Sequence, residues 1–209
     1  MASQVELANR ALDKLGELPI ISLDDNVKAA GVLKRMFAMV RDDELRARKW
    51  SFSIKRAQLA ADVEVPVYGY GSQFTLPDDC LRILSIFNFD IGPNLSDYNA
   101  GMSQIYVIEG RKILYGRPIP GGPPPSVPMP LRYIARSEDT TQWDVCFNEA
   151  FACRLAMEAC EAITQSDSKW QKCAAQYQAA LGKASRANAI ELPSDTISDD
   201  SWVMSRLRG

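Results

Sequence analysis

Histidine is absent from this chain of 209 residues. Its absence removes the most common general base, the usual partner of a serine or cysteine nucleophile, and the most common metal ligand. Few hydrolase mechanisms remain without it. We therefore expect a protein that is not an enzyme and that has no catalytic residue, no metal site and no cofactor.

The sequence also lacks a long hydrophobic run. Nowhere do about 18 apolar residues follow one another, which is the length needed to span a membrane. The first six residues, MASQVE, have neither the basic region nor the apolar region of a secretory signal. We expect no membrane partner, and we expect the chain to be cytoplasmic in the cell that makes it.

An excess of positive charge is missing as well. Lys and Arg total 24 against 26 for Asp and Glu, and the pI is about 5.3. Proteins that bind nucleic acid without sequence preference do so by releasing counterions from many phosphates, which requires a large basic surface. Such binding is therefore not expected.

The five cysteines show no pairing pattern. Cys146, Cys153 and Cys160 recur every seven residues, so they lie on one face of a helix at intervals of about 10 Å. That interval is too long for a shared metal ion or for a disulfide within the helix. Free cysteine is among the most buried residue types, so we interpret these three as small core residues.

Two helices are predicted at the amino end. Ser3 and Glu6 have the spacing of a capping box, an apolar stripe with helical spacing follows, and Gly16 lies where a left-handed cap would end the helix. Residues 22–25, SLDD, offer several capping oxygens for a second helix that runs to about residue 49.

The end of this second helix is densely charged. Seven of the nine residues 41–49 are ionisable, and both signs occur. Such a run is typical of a solvated helix face, but alternating signs could also set the register of a contact between subunits. Trp50 and Phe52 follow, and aromatic residues that leave a helix commonly fill the space between domains. The candidate residues for a subunit or domain interface are Arg41, Glu44, Arg46, Arg48, Trp50 and Phe52.

Residues 66–135 interrupt the helical pattern with strands and turns. Residues 81–89 and 131–135 are apolar and β-prone, residues 105–115 predict a hairpin, and Tyr68 and Tyr70 alternate with glycines that punctuate a strand. Seven of the twelve prolines lie between residues 118 and 130, which predicts a stiff projecting loop. No segment between these strands is long enough for a crossover helix, so the sheet should be small and antiparallel.

A second helical block follows. Trp143 and Asp144 open a third helix, residues 165–168 make a turn, and a fourth helix begins there, so the last two helices form an antiparallel hairpin. The predicted fold class is α+β, a four-helix bundle built as two hairpins from both chain ends with an inserted antiparallel sheet. The predicted divisions are residues 1–62 and 139–190 for the bundle, 63–138 for the β-rich subdomain, and 191–209 for an extended tail.

The tail changes character along its length. Residues 194–200 are acidic and rich in hydroxyl groups, a composition that cannot form a core. The last residues form a short amphipathic anchor. Either this segment is a frayed terminus, or it becomes ordered on a partner with Trp202 as the main contact. The anchor residues are Trp202, Val203, Met204, Arg206 and Leu207.

Several packing and turn motifs follow one another along the chain. They are ALDKLG at residues 11–16, SLD at 22–24, Arg46, Trp50, Phe52 and Arg56, LPDDCLR at 76–82, IEGRKIL at 108–114, LRY at 131–133, Phe147, LA at 155–156 and IT at 163–164. Taken in this order, over roughly residues 5–190, they resemble the family of tail tubular protein A, the head-to-tail adaptor of short-tailed bacteriophages.

The resemblance implies a homo-oligomeric, dodecameric ring that docks beneath the portal protein and extends its channel to the tail nozzle protein. Genomic DNA would pass through the lumen without specific binding, and the protein would reside in the virion tail at the portal vertex. The helices would form the ring, and the C-terminal anchor would bind the portal. The β-rich subdomain would face the nozzle with Tyr68, Tyr70, Tyr106 and Pro124.

Two alternatives belong to other classes. One is a different structural tail protein, such as a channel stopper or a connector of long-tailed phages, which only its position in the assembly would distinguish. The other is a cysteine-dependent hydrolase with Asp78, Asp79 and Cys80 as its site. No base accompanies that thiol in the sequence, and neighbouring residues need not face one another.

Overall fold

Helices come from the two ends of the chain and strands from its middle. A computed structural model describes residues 2–86, 89–90, 106–116 and 128–191. Within these residues the fold is mixed α+β, with four helices and two antiparallel sheets, which confirms the predicted class. The helices are α1 (Gln4–Leu15), α2 (Lys28–Ala47), α3 (Val145–Thr164) and α4 (Asp167–Glu191).

Local capping fixes both ends of α1, as the sequence predicted. The Ser3 hydroxyl accepts a hydrogen bond from the Glu6 amide, and the Glu6 carboxylate accepts one from the Ser3 amide. Gly16 ends the helix at φ 69°, in the left-handed region that glycine enters without strain. In α3, Asp144 caps the amino end by accepting from the amides of Cys146 and Phe147.

The predicted cap of α2 is wrong. The helix begins at Lys28 after Val27, and no side chain caps it. The carboxylate of Asp25 instead accepts from the amides of Ile21 and Ser22, which closes a turn before the helix. The acidic group at residues 22–25 therefore organises the preceding turn and not the helix itself.

Helix α3 lies at the centre of the helical part. Helices α1, α2 and α4 each pack on it, whereas α1 and α2 contact each other little. The hairpin of α3 and α4 matches the prediction, but α1 and α2 are joined through α3 and do not form a hairpin of their own. Cys153, Cys160 and Cys173 are buried in this core and Cys146 is half-buried, which fits their interpretation as packing residues.

The strands form two sheets, where the sequence predicted one. The four-stranded sheet has the order β1 (Ile54–Leu59), β7 (Met129–Ala135), β3 (Cys80–Ile86) and β4 (Phe89–Asp90). The three-stranded sheet has the order β2 (Ser72–Thr75), β6 (Lys112–Tyr115) and β5 (Tyr106–Glu109). The hairpin of β5 and β6 confirms its prediction, with Gly110 in its turn at φ 59°. Strand β1 begins at Ile54, so the strands start before the predicted boundary at residue 63.

The four-stranded sheet lies between the helices and the three-stranded sheet. Leu84 of β3 and Ile134 of β7 pack in the helical core. Their neighbours Ile83 and Tyr133 point to the opposite face and share a second core with Phe74 and other residues of the smaller sheet. Side chains of β3 and β7 thus connect the two cores.

Some sequence predictions lie outside the described residues. These are the proline-rich loop with Pro124 and the C-terminal anchor residues Trp202, Val203, Met204, Arg206 and Leu207. Of the helices that the structure does describe, none combines the length and the apolar character needed to cross a membrane.

Candidate interaction site at the end of α2

The charged run at residues 41–49 divides into two parts. Arg41 and Glu44 are buried, with 7% and 5% of their surface exposed, whereas Arg46 and Arg48 are exposed. A solvated helix face therefore describes only part of the run. The buried part faces the interior of the chain, and the exposed part lies where α2 meets the four-stranded sheet.

Arg41 connects α2 to the segment that follows β7. Its Nε donates to Asp42 at 2.8 Å, and its guanidinium is 4.0 Å from the Glu138 carboxylate. The other oxygen of Asp42 accepts from Nε of Arg136 at 3.0 Å. The charge of Arg41 is thus compensated within the chain, where the side chain lies buried.

Glu44 connects three helices through a buried hydrogen bond and an ion pair. Its Oε1 accepts from the Tyr177 hydroxyl at 2.6 Å, and Nε of Arg154 lies 3.9 Å from the same oxygen. The Arg154 guanidinium also stands over the Tyr177 ring, 5.5 Å from its centre. Burial raises the pKa of Glu44, although Tyr177 and Arg154 oppose the shift. Burial and the bond to Glu44 raise the pKa of Tyr177 to about 12.

Trp50 fills the helical core directly before β1. Only 1% of its surface is exposed, and its indole N–H donates to the main-chain oxygen of Glu44 at 2.9 Å. Its ring meets Phe147 edge to face, with centroids 4.8 Å apart. Phe52 is half-buried and packs beside both rings. These two aromatic residues hold the end of α2 against α3.

The exposed part of the run forms one wall of a cleft of about 740 Å³. Arg46, Arg48 and Lys49 line this wall, and Arg82 of β3 and Arg111 of the β5–β6 turn line the other side. None of the described lining residues is acidic, and the remainder are mainly apolar. We call this feature the basic cleft.

The hydrogen bonds of two cleft arginines go to neutral groups. Arg46 donates to the main-chain oxygen of Leu81, and Arg82 donates to that of Ala47 at 3.4 Å. These bonds hold the cleft walls together across α2 and β3 without cancelling charge. Burial and the nearby charge of Arg46 lower the pKa of Arg82. The cleft therefore brings the like charges of Arg46 and Arg82 near each other in a partly enclosed space.

The three residues of the hypothetical hydrolase site have different surroundings. Cys80 lines the basic cleft, and burial raises its pKa to about 11, so its thiol is protonated at neutral pH. The Asp79 carboxylate is bound by Lys55 at 2.8 Å and by the Tyr133 hydroxyl at 3.0 Å. Asp78 is exposed and lies 3.9 Å from Arg111.

A second exposed surface lies between β1 and β2. Val63 and Val67 are 100% and 98% exposed, and Tyr68 is 86% exposed. We call residues 63–68, with the sequence VEVPVY, the apolar segment. Tyr70 and Tyr106 are half-buried, and Tyr106 packs against the second core. Of the three described tyrosines predicted to face a partner, only Tyr68 is largely exposed.

Sequence reasoning missed residues in both surfaces. The alternation of valines in VEVPVY is a local signal that could have identified the apolar segment. The basic cleft has no such signal, because Arg82 and Arg111 come from separate parts of the chain.

Within the described residues, no three cysteine, aspartate or glutamate side chains lie close enough to hold a metal ion. No family model matches the chain, and no curated protein matches it either.

Proposed function

We propose that the chain is a structural head-to-tail adaptor of a short-tailed bacteriophage. Copies of the chain form a ring beneath the portal, attach the tail nozzle and surround the channel through which DNA leaves. The ordered motifs between residues 11 and 164 motivate this proposal, and the structural observation that supports it best is the exposed apolar segment.

The apolar segment has the properties of a protein contact surface. Single exposed apolar residues are ordinary, but Val63, Val65, Val67 and Tyr68 are exposed within six consecutive residues. Burying one such side chain contributes about 1.5 to 3 kcal/mol. In a ring, the same contact recurs in every copy, so modest contacts add up to stable attachment. The segment belongs to the strand-rich part, which in this proposal faces the nozzle.

The remaining parts have complementary roles in the proposal. The four helices form a bundle that is the body of the ring, and the extended tail carries the portal contact through Trp202 and its neighbours. A net charge of −2 suits a DNA conduit, because a strongly basic lumen would bind phosphates and slow the passage of DNA.

Mixing the purified chain with the portal of the same phage tests the proposal. We expect co-sedimentation and, in electron micrographs, a ring of the chain on one face of the portal. A failure to bind the portal at both low and high salt would overturn the proposal. Binding to a tail tube in place of a portal would assign the chain to another class of connector.

A triple variant tests the contact with the nozzle. Val63→Ser, Val67→Ser and Tyr68→Ser together should weaken nozzle attachment at least tenfold, which corresponds to about 1.4 kcal/mol. The matched control is Leu18→Ser with Ile21→Ser, which removes two exposed apolar side chains from the loop between α1 and α2. Equal attachment by both variants, measured by sedimentation with assembled nozzles, would place the nozzle contact elsewhere.

A further inference from the structure

We propose that the basic cleft binds the acidic segment of the chain's own tail, residues 195–200. This segment, DTISDD, carries Asp195, Asp199 and Asp200. The inference rests on the cleft and on the position of the last turn of α4. It does not depend on the proposed function.

The positive charges that line the cleft favour an acidic ligand. Five cationic side chains line it in a chain whose net charge is −2. Arg46 and Arg82 are close enough for the charge of one to disfavour the charge of the other. A carboxylate between guanidinium groups relieves this repulsion and accepts two parallel hydrogen bonds from one arginine. Apolar lining residues reduce the access of water and strengthen such pairs.

The tail starts beside this cleft. Asn188 in the last turn of α4 donates to the main-chain oxygen of Lys49 at 2.6 Å, and it accepts from the Ser51 amide at 2.8 Å. The Ser51 hydroxyl donates to Glu191, the last residue of α4, at 2.6 Å. Because Lys49 lines the cleft, these bonds fix the end of α4 at its edge.

The acidic segment can reach the cleft from this point. Asp195 follows Glu191 by four residues and Asp200 by nine, so an extended chain spans up to about 13 Å and about 30 Å respectively. A covalent tether of this length gives the tail an effective concentration on the order of millimolar. Phosphates of a nucleic acid have similar chemistry but lack this advantage.

A cysteine crosslink in the full chain tests the proposal. Ala47→Cys places a thiol in the cleft, and Ser198→Cys places one in the acidic segment. The matched control is Ala38→Cys with Ser198→Cys, because Ala38 is also exposed on α2 but lies about 14 Å from Ala47 along the helix. Ser198→Cys alone measures crosslinking to the native cysteines.

We expect the 47–198 crosslink to form within one chain at least tenfold faster than the 38–198 crosslink. Changing Asp195, Asp199 and Asp200 to Asn should lower the rate of the 47–198 crosslink and leave the rate of the 38–198 crosslink unchanged, as should Arg48→Ser with Arg111→Ser. Electrophoresis without reductant and mass spectrometry of the linked peptides give the rates. If the Ala47→Cys chain does not fold, Arg48→Cys supplies the alternative position in the cleft wall.

Four outcomes would overturn the proposal. Equal rates at positions 47 and 38, or no effect of the Asn substitutions, would show that the segment does not bind in the cleft. Crosslinks between chains that increase with protein concentration would identify a second copy as the occupant. Binding of a short DNA duplex that is lost in the Arg48→Ser and Arg111→Ser variant, with the crosslink unaffected, would assign the cleft to nucleic acid.

Discussion

The two parts of the charged run at residues 41–49 are adjacent in the sequence and have opposite environments. Arg41 and Glu44 are buried and find partners within the chain, whereas Arg46 and Arg48 stay exposed and face a cleft without a described acidic residue. The partners of the first part, among them Tyr177 and Arg154, come from distant helices. The difference shows that the elements packed against a charged side chain decide whether it is buried and paired or exposed. The charge pattern of the sequence does not decide this.

The largest effect should come from the aromatic residue next to the buried part. Trp50→Ala removes a fully buried ring and its hydrogen bond to Glu44, so we expect a loss of about 3 to 5 kcal/mol in the free energy of unfolding. Trp170→Ala is the matched control, because that ring is 48% exposed. Urea denaturation measures both, and similar losses would mean that Trp50 is less important to the core than its burial indicates.

Breaking the buried network at Tyr177 should have the next largest effect. Tyr177→Phe leaves the Glu44 carboxylate without its 2.6 Å hydrogen bond, so we expect a loss of about 1 to 3 kcal/mol. Tyr68→Phe removes an exposed hydroxyl and should change little. Thermal or urea unfolding of the two variants compares the buried and exposed sites. If Tyr177→Phe is as stable as the wild type, the hydrogen bond between Tyr177 and Glu44 does not stabilise the fold.

The pH dependence of stability gives a third test. Folding raises the pKa of Glu44, chiefly through burial. The stabilising contribution of such a group is complete below its unfolded pKa and is lost as the pH rises through its folded pKa. The free energy of unfolding of Glu44→Gln, relative to that of the wild type, should therefore increase steadily from acidic to neutral pH.

Urea midpoints measured across this range check the expectation. Glu64→Gln changes the net charge by the same amount at an exposed side chain and serves as the control. A difference between Glu44→Gln and wild type that stays constant with pH would contradict the assignment.

The smallest effect on stability should come from the exposed part of the run. Arg48→Ser should alter the free energy of unfolding by less than about 0.5 kcal/mol, because this side chain is exposed at the edge of the cleft. Urea unfolding next to Trp50→Ala measures the contrast directly. A loss as large as that of Tyr177→Phe would mean that the two parts of the run do not differ in their structural roles.

Local signals in the sequence identified the elements well. The capping box at Ser3 and Glu6, the glycine at residue 16 and the hairpin around Gly110 each depend on interactions within a few residues, and the structure has all three. Strand β1 was missed because its sequence, IKRAQL, has two adjacent charges and no clear alternation. Its pairing with β7, whose partner residues lie 70 to 80 positions later in the chain, determines its conformation.

Longer-range features were less predictable. The sequence indicated that residues 41–52 were important, but it could not separate the buried from the exposed charges, because Arg136, Arg154 and Tyr177 decide their environments. The division of the strands into two sheets also depends on which strands pair, and alternation alone does not specify that.

The pairing of β1 with β7 has a mechanical consequence. These strands are the first and last of the strand-rich region, and they run antiparallel from Ile54 opposite Ile134 to Leu59 opposite Met129. The chain therefore enters and leaves this region at one place beside the helices. A force that pulls the three-stranded sheet away from the helices acts on β1 and β7 in the same direction. Such a force does not slide one strand along the other. The two strands share the load, and the helical core receives it where β7 and its neighbour β3 pack against the helices.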